Sequence, residues 1–132
     1  MPQPIRIKDH EKDALILVGK IQKSTASMDA ALKAAQDHIQ VAKKELHESY
    51  EIEKLEPTAG DELPPQVGTH KGKIVELKMK SDDKSYQKYI LLAVVQRPKH
   101  FYFIQCESFW HYRQSWRGDF LDIVSTFTLG KD

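Results

Sequence analysis

At 132 residues, 40% hydrophobic and 30% charged, the chain has the length and composition of one globular domain, long enough to bury a core without disulfides or a structural metal. Twenty Lys plus Arg against 19 Asp plus Glu leave a formal net charge of +1, which excludes a strong basic field and argues against nucleic acid as the main partner. The single cysteine, Cys106, excludes an intrachain disulfide.

No apolar run approaches the roughly 18–20 residues needed to cross a bilayer. The longest, residues 89–95, is strand-sized, so the chain is not expected to be transmembrane. Residues 1–10 carry prolines and charges and no apolar stretch, so no signal peptide is visible, and the expected location is the cytoplasm.

In chain order, residues 5–8 and 14–22 are β-branched, apolar stretches joined by a polar turn, which predicts a hairpin. Leu15, Ile16, Leu17 and Val18 are apolar in both alternation phases, as in a strand covered on two faces. Ser24, Thr25 and Ser27 offer helix N-caps, and Met28, Leu32, Ala35, Ile39, Ala42 and Leu46 then recur at helical spacing. Residues 50–55 predict a short strand before the Pro- and Gly-containing loop 56–65. Three strands follow at 72–80, 86–97 and 100–108, and their short polar links predict an antiparallel meander. Val75, Leu77 and Met79 share one face of the first. In the last, Phe101 and Phe103 oppose Tyr102, Ile104 and Cys106. Tyr112, Trp116, Phe120, Ile123 and Phe127 trace a second amphipathic helix, with a break expected near Gly118. The fold class is therefore α+β: an antiparallel sheet of about six strands in ββαββββα order, flanked by helices, in one domain spanning residues 1–132.

The residues offer little catalytic chemistry. The segment from Gly68 to Lys73 superficially resembles a phosphate loop, but it has three residues between its glycines and Ile74 where Ser or Thr must bind Mg²⁺, so it reads as a turn entering a strand. The six histidines, His10, His38, His47, His70, His100 and His111, form no ligand cluster in the sequence, and no metal or other cofactor is expected. Glu107 and His111 stand four apart without a third group, and the phase of Cys106 beside Ile104 predicts a buried thiol. No pair of carboxylates is placed in a common apolar pocket, so an enzyme is not expected.

Residues 97–117 have the most unusual composition. Lys99, His100, His111, Arg113 and Arg117 interleave with Phe109, Trp110, Tyr112 and Trp116, and both tryptophans of the chain lie here. Aromatic and Arg side chains dominate binding hot spots, and the same mixture can stack single-stranded bases. Tyr112 and Trp116 fit the core-facing stripe of the second helix. That leaves Trp110, Arg113 and Arg117, with Lys99 and His100, as candidate partner-binding residues.

The order of elements, together with the ending Phe120-Leu121-Asp122-Ile123-Val124-Ser125-Thr126-Phe127, resembles the PsbP-like α/β/α sandwich group. That group includes the photosystem II extrinsic protein, the Ran-binding Mog protein, DcrB-like lipoproteins and type VI secretion adaptor chaperones. Many members end in an Ile-x-x-Ser-Phe-like helix, to which Ile123 and Phe127 correspond. The resemblance implies a non-enzymatic adaptor or chaperone role and carries over no functional residue. Two functions are thus expected: a protein-interaction or adaptor domain or, in a different class, a small-molecule or lipid-binding domain with a sheet–helix pocket lined by Leu92, Phe101, Phe103 and Phe120.

Overall fold

The computed structural model describes residues 3–9, 12–21, 27–44, 50–56, 63–64, 66–81, 87–97 and 100–126. Its elements are β1 (Gln3–Asp9), β2 (Lys12–Ile21), α1 (Met28–Lys44), β3 (Tyr50–Leu55), β4 (Gln66–Val67), β5 (His70–Ser81), β6 (Gln87–Gln96), β7 (Phe101–Phe109), a 3-10 turn (Trp110–Tyr112) and α2 (Arg113–Ser125). The main sheet is open and antiparallel throughout, in the order β1-β2-β7-β6-β5-β3, and the short β4 pairs with the start of β5.

The expected hairpin and meander both form, and β2 joins them by pairing with β7, Ile16 opposite Cys106 and Val18 opposite Ile104. This places β7 and β6 in the middle. Tyr89 to Val95, the longest apolar run, is fully buried because both of its faces are covered. β4 escapes the sequence reading, since two residues cannot display a period. It forms because Gly68, at φ 61°, takes the left-handed conformation needed to turn Val67 back onto His70.

Helix α1 begins as its caps dictate: the Ser27 hydroxyl accepts a hydrogen bond from the Ala30 amide at 3.1 Å. Its apolar stripe, Ala31, Leu32, Ala35 and Ile39, packs on Val75, Leu77, Met79, Ile90, Leu92, Val94, Phe101 and Phe103. A Cβ on Gly19 would stand 2.5 Å from two ring carbons of Phe103, so glycine there lets the ring lie across β2. The expected stripe position Leu46 and the side chain of Ala42 lie outside the described residues.

Helix α2 covers the opposite face. Trp116, Phe120 and Val124, each four apart, pack with Ala14, Ile16, Val67, Ile74, Tyr89, Leu91, Ala93, Val95, Ile104 and Cys106. The helix runs unbroken through Gly118, contrary to the expected interruption. Glycine costs a helix on the order of 1 kcal/mol, less than the burial of the aromatic side chains on either side of it contributes. Phe127 lies outside the described residues; the last turn closes at Thr126, whose hydroxyl donates to the Asp122 carbonyl at 2.8 Å. The architecture is an α/β/α sandwich with one apolar core on each side of the sheet.

Candidate functional site

The chain leaves β7 at Phe109, passes through the 3-10 turn and enters α2, forming a corner at one end of the sheet. Trp110 is half-buried there with two cations near its ring. The Lys78 Nζ stands 4.3 Å from its ring centroid and the Arg113 guanidinium carbon 4.1 Å. Arg113 is held by donating from Nη1 to the Trp110 carbonyl at 3.0 Å. Lys78 is delivered by β5, across from Tyr89 on β6 and Glu53 on β3. Phe109, the residue before Trp110, lies opposite Lys88 on the α1 side of the sheet and is 42% exposed, the exposed large hydrophobic side chain among the described residues. The Lys88 ammonium lies 5.7 Å from its ring centroid, and His111 is exposed on the next turn.

The clamp limits what the corner can recognise. Trp110 is half-buried with two cations near its ring, so its indole is not the freely exposed platform on which single-stranded bases stack. The accessible chemistry is an apolar anchor, Phe109, bordered by positive charge.

Among the described residues two carboxylates are buried, one on each side of the sheet. On the α2 side Glu76 accepts hydrogen bonds from the Tyr89 hydroxyl and from the Arg117 guanidinium, Nε at 2.8 Å and Nη2 at 3.3 Å. On the α1 side Glu107 accepts from the Gln105 amide at 2.6 Å and from Lys88 at 3.1 Å. Each buried charge therefore has a cation and a neutral donor, the arrangement that makes burial tolerable. The sheet separates them, so they form no acid–base couple.

The sequence-predicted residues divide accordingly. Trp110 and Arg113 meet at the corner, but both are half-buried where exposure was expected. Arg117 turns inward to Glu76, and its charge serves the fold. His100 precedes the far end of β7, nine residues of strand and roughly 30 Å from Trp110 at about 3.3 Å per residue. Lys99 lies outside the described residues. Lys78, Lys88 and the exposure of Phe109 had no local signal, because they depend on which strands neighbour β7. The pocket expected between Leu92, Phe101, Phe103 and Phe120 does not exist as one site: the first three face α1 and Phe120 faces α2. Glu107 and His111 are likewise apart in role, the first buried with Gln105 and Lys88, the second exposed against Tyr112.

Cys106 is fully buried, as its phase predicted, and burial pushes its thiol pKa from 9.0 up to about 12. Burial, and then the bond to Glu76, pushes the Tyr89 hydroxyl up as well. Both folded-state values are raised, so their contribution to stability is complete below the unfolded-state pKa values and declines as pH rises above them. The free energy of urea unfolding should begin to fall near pH 9, and in Cys106→Ala about one unit later, where tyrosine ionises in the unfolded chain. Identical pH profiles for the two proteins would show that the thiol is not buried in solution.

Among the described residues no helix is long and apolar enough to cross a membrane, and no group of three or more His, Cys, Asp or Glu is placed to hold a metal ion. The fold and corner together define an α/β/α sandwich with an aromatic, cation-bordered end. No protein-family model and no curated protein sequence matches the chain. Among solved structures it is similar to PA94 from Pseudomonas aeruginosa, a protein of unknown function suspected to be a regulator. The two share 8% identity at a TM-score of 0.56, over 100% of this chain and 85% of that one, a likeness of fold alone.

Proposed function

We propose that the chain is a protein-interaction or adaptor domain that holds a partner protein at the corner where β7 passes into α2. One observation carries this reading: where β7 ends, Phe109 stands exposed with Lys88 near its ring, and the next residue, Trp110, has Lys78 and Arg113 near its own. Rigid aromatic and Arg side chains at low entropic cost are what binding hot spots are made of. The partner surface that fits is an acidic patch with an apolar pocket for Phe109. The resemblance to the PsbP-like group, whose members mostly act as accessory, adaptor or chaperone proteins, supports the same reading.

The test is capture of partners from the source lysate by the tagged chain, followed by affinity measurement with the recovered partner. Phe109→Ala combined with Arg113→Ala should weaken binding at least tenfold while leaving the melting temperature nearly unchanged, because neither side chain belongs to the core. Trp110→Ala should weaken it further. A stoichiometric partner that binds all three proteins equally would remove the corner from consideration.

A further inference from the structure

Among the described residues Lys73, Lys88 and Arg117 each meet a carboxylate, those of Asp29, Glu107 and Glu76. Lys78 and Arg113 are half-buried and make no ion pair among those residues. Glu53 stands opposite Lys78 in the β3–β5 ladder but is exposed and not paired with it. Both cations instead converge on one indole, that of Trp110. A π face is a weaker partner for a cation than a carboxylate, and the two like charges repel each other. The counter-charge is missing.

The geometry fits one anionic group. Both cations lie within 4.3 Å of the same ring centroid, so they are no farther apart than a phosphate with two hydrogen bonds of about 2.8 Å can bridge, roughly 8 Å. One Arg113 nitrogen, Nη1, donates to the Trp110 carbonyl, which leaves Nε, Nη2 and the Lys78 ammonium as donors. Arg113 is also the first residue of α2, whose N-cap Tyr112 supplies no side-chain hydrogen bond and whose first turn holds no acid. The positive end of the helix dipole therefore adds to the same field.

We propose that Lys78 and Arg113, at the start of α2, bind a phosphate monoester carried by a phosphorylated side chain of the partner protein. Charge selects the group: a monoester is nearly dianionic at neutral pH and offers three acceptor oxygens, whereas a carboxylate brings one charge and two oxygens. The inference rests on the docking reading for the molecule that carries the phosphate, but not for the site itself.

The experiment is NMR of the ¹⁵N-labelled full chain at about pH 7.5, where the monoester is dianionic. The Trp110 indole N–H and Arg113 Nε–H signals are followed during separate titrations with inorganic phosphate, O-phosphoserine and acetate at constant ionic strength. Both signals should shift saturably with inorganic phosphate and with phosphoserine, and acetate should bind at least tenfold more weakly. Lys78→Met should weaken phosphate binding at least tenfold, while Lys20→Met, which removes an exposed lysine at the other end of the sheet, should not change it. Linear shifts, equal binding of acetate, an unaffected Lys78→Met or phosphoserine failing where inorganic phosphate binds would each overturn the proposal. Phe109→Ala, on the α1 side of the sheet, should leave phosphate binding unchanged and so separates the two readings. If neither phosphate probe binds while Phe109→Ala combined with Arg113→Ala still weakens the partner, the phosphate site falls and the docking corner stands.

Discussion

Phe120→Ala is expected to lower the free energy of unfolding by about 3–5 kcal/mol, the range for deleting a buried aromatic ring. Phe120 is completely buried and its ring lies in a stack, 5.6 Å from Trp116 and 6.2 Å from Tyr89, with interplanar angles of 18° and 3°. Two contributions add: the apolar area returned to water, and the cavity left between a helix and a sheet that are held by other contacts and close only in part. Domains of this size have total stabilities of about 5–15 kcal/mol, so the variant should be only marginally folded at physiological temperature. Urea unfolding followed by tryptophan fluorescence reads it directly, because Trp116 is the ring's neighbour. A loss below about 1 kcal/mol would mean that α2 does not pack on the sheet as described.

Arg117→Met should cost nearly as much, about 3 kcal/mol, for an electrostatic reason. Removing the guanidinium leaves Glu76 on the buried side of the sheet with Tyr89 as its remaining bonded donor. The penalty is that of an uncompensated buried charge, so it should shrink when the charge is removed too. The double variant Glu76→Gln, Arg117→Met is expected to be more stable than Arg117→Met alone, and that reversal is what a double-mutant cycle would detect. If the two substitutions simply add, the ion pair contributes nothing to stability. The same logic separates Arg117 from Arg113: partner binding lost through Arg117 should track unfolding, whereas loss through Arg113 should not.

The distribution of function between these arginines was not legible in the chain. Arg113 and Arg117 are four apart, belong to the same helix, and carry the same charge. One lies against Trp110 and the other reaches Glu76, a residue 41 positions away that arrives through the β5–β6–β7 pairing. The candidate residues Trp110 and His100 looked like neighbours for the opposite reason. Ten positions apart is close in a helix but spans the whole sheet in a strand, so composition grouped residues that geometry places at opposite ends.

The sequence by itself determined the elements and their inward faces. Periods of two and of about 3.6 record which side chains must leave water, and that constraint acts locally. Met28 to Ile39 and Trp116 to Phe120 therefore announced their helices, and Val75, Leu77 and Met79 their common face. Tertiary structure alone decided that β2 would join β7, that the two buried carboxylates would fall on opposite sides, and that Lys78 would clamp Trp110 while Phe109 stayed exposed. Strand pairing brings together residues far apart in the chain, and its register is chosen by the summed burial of whole faces. No local window of sequence contains that sum.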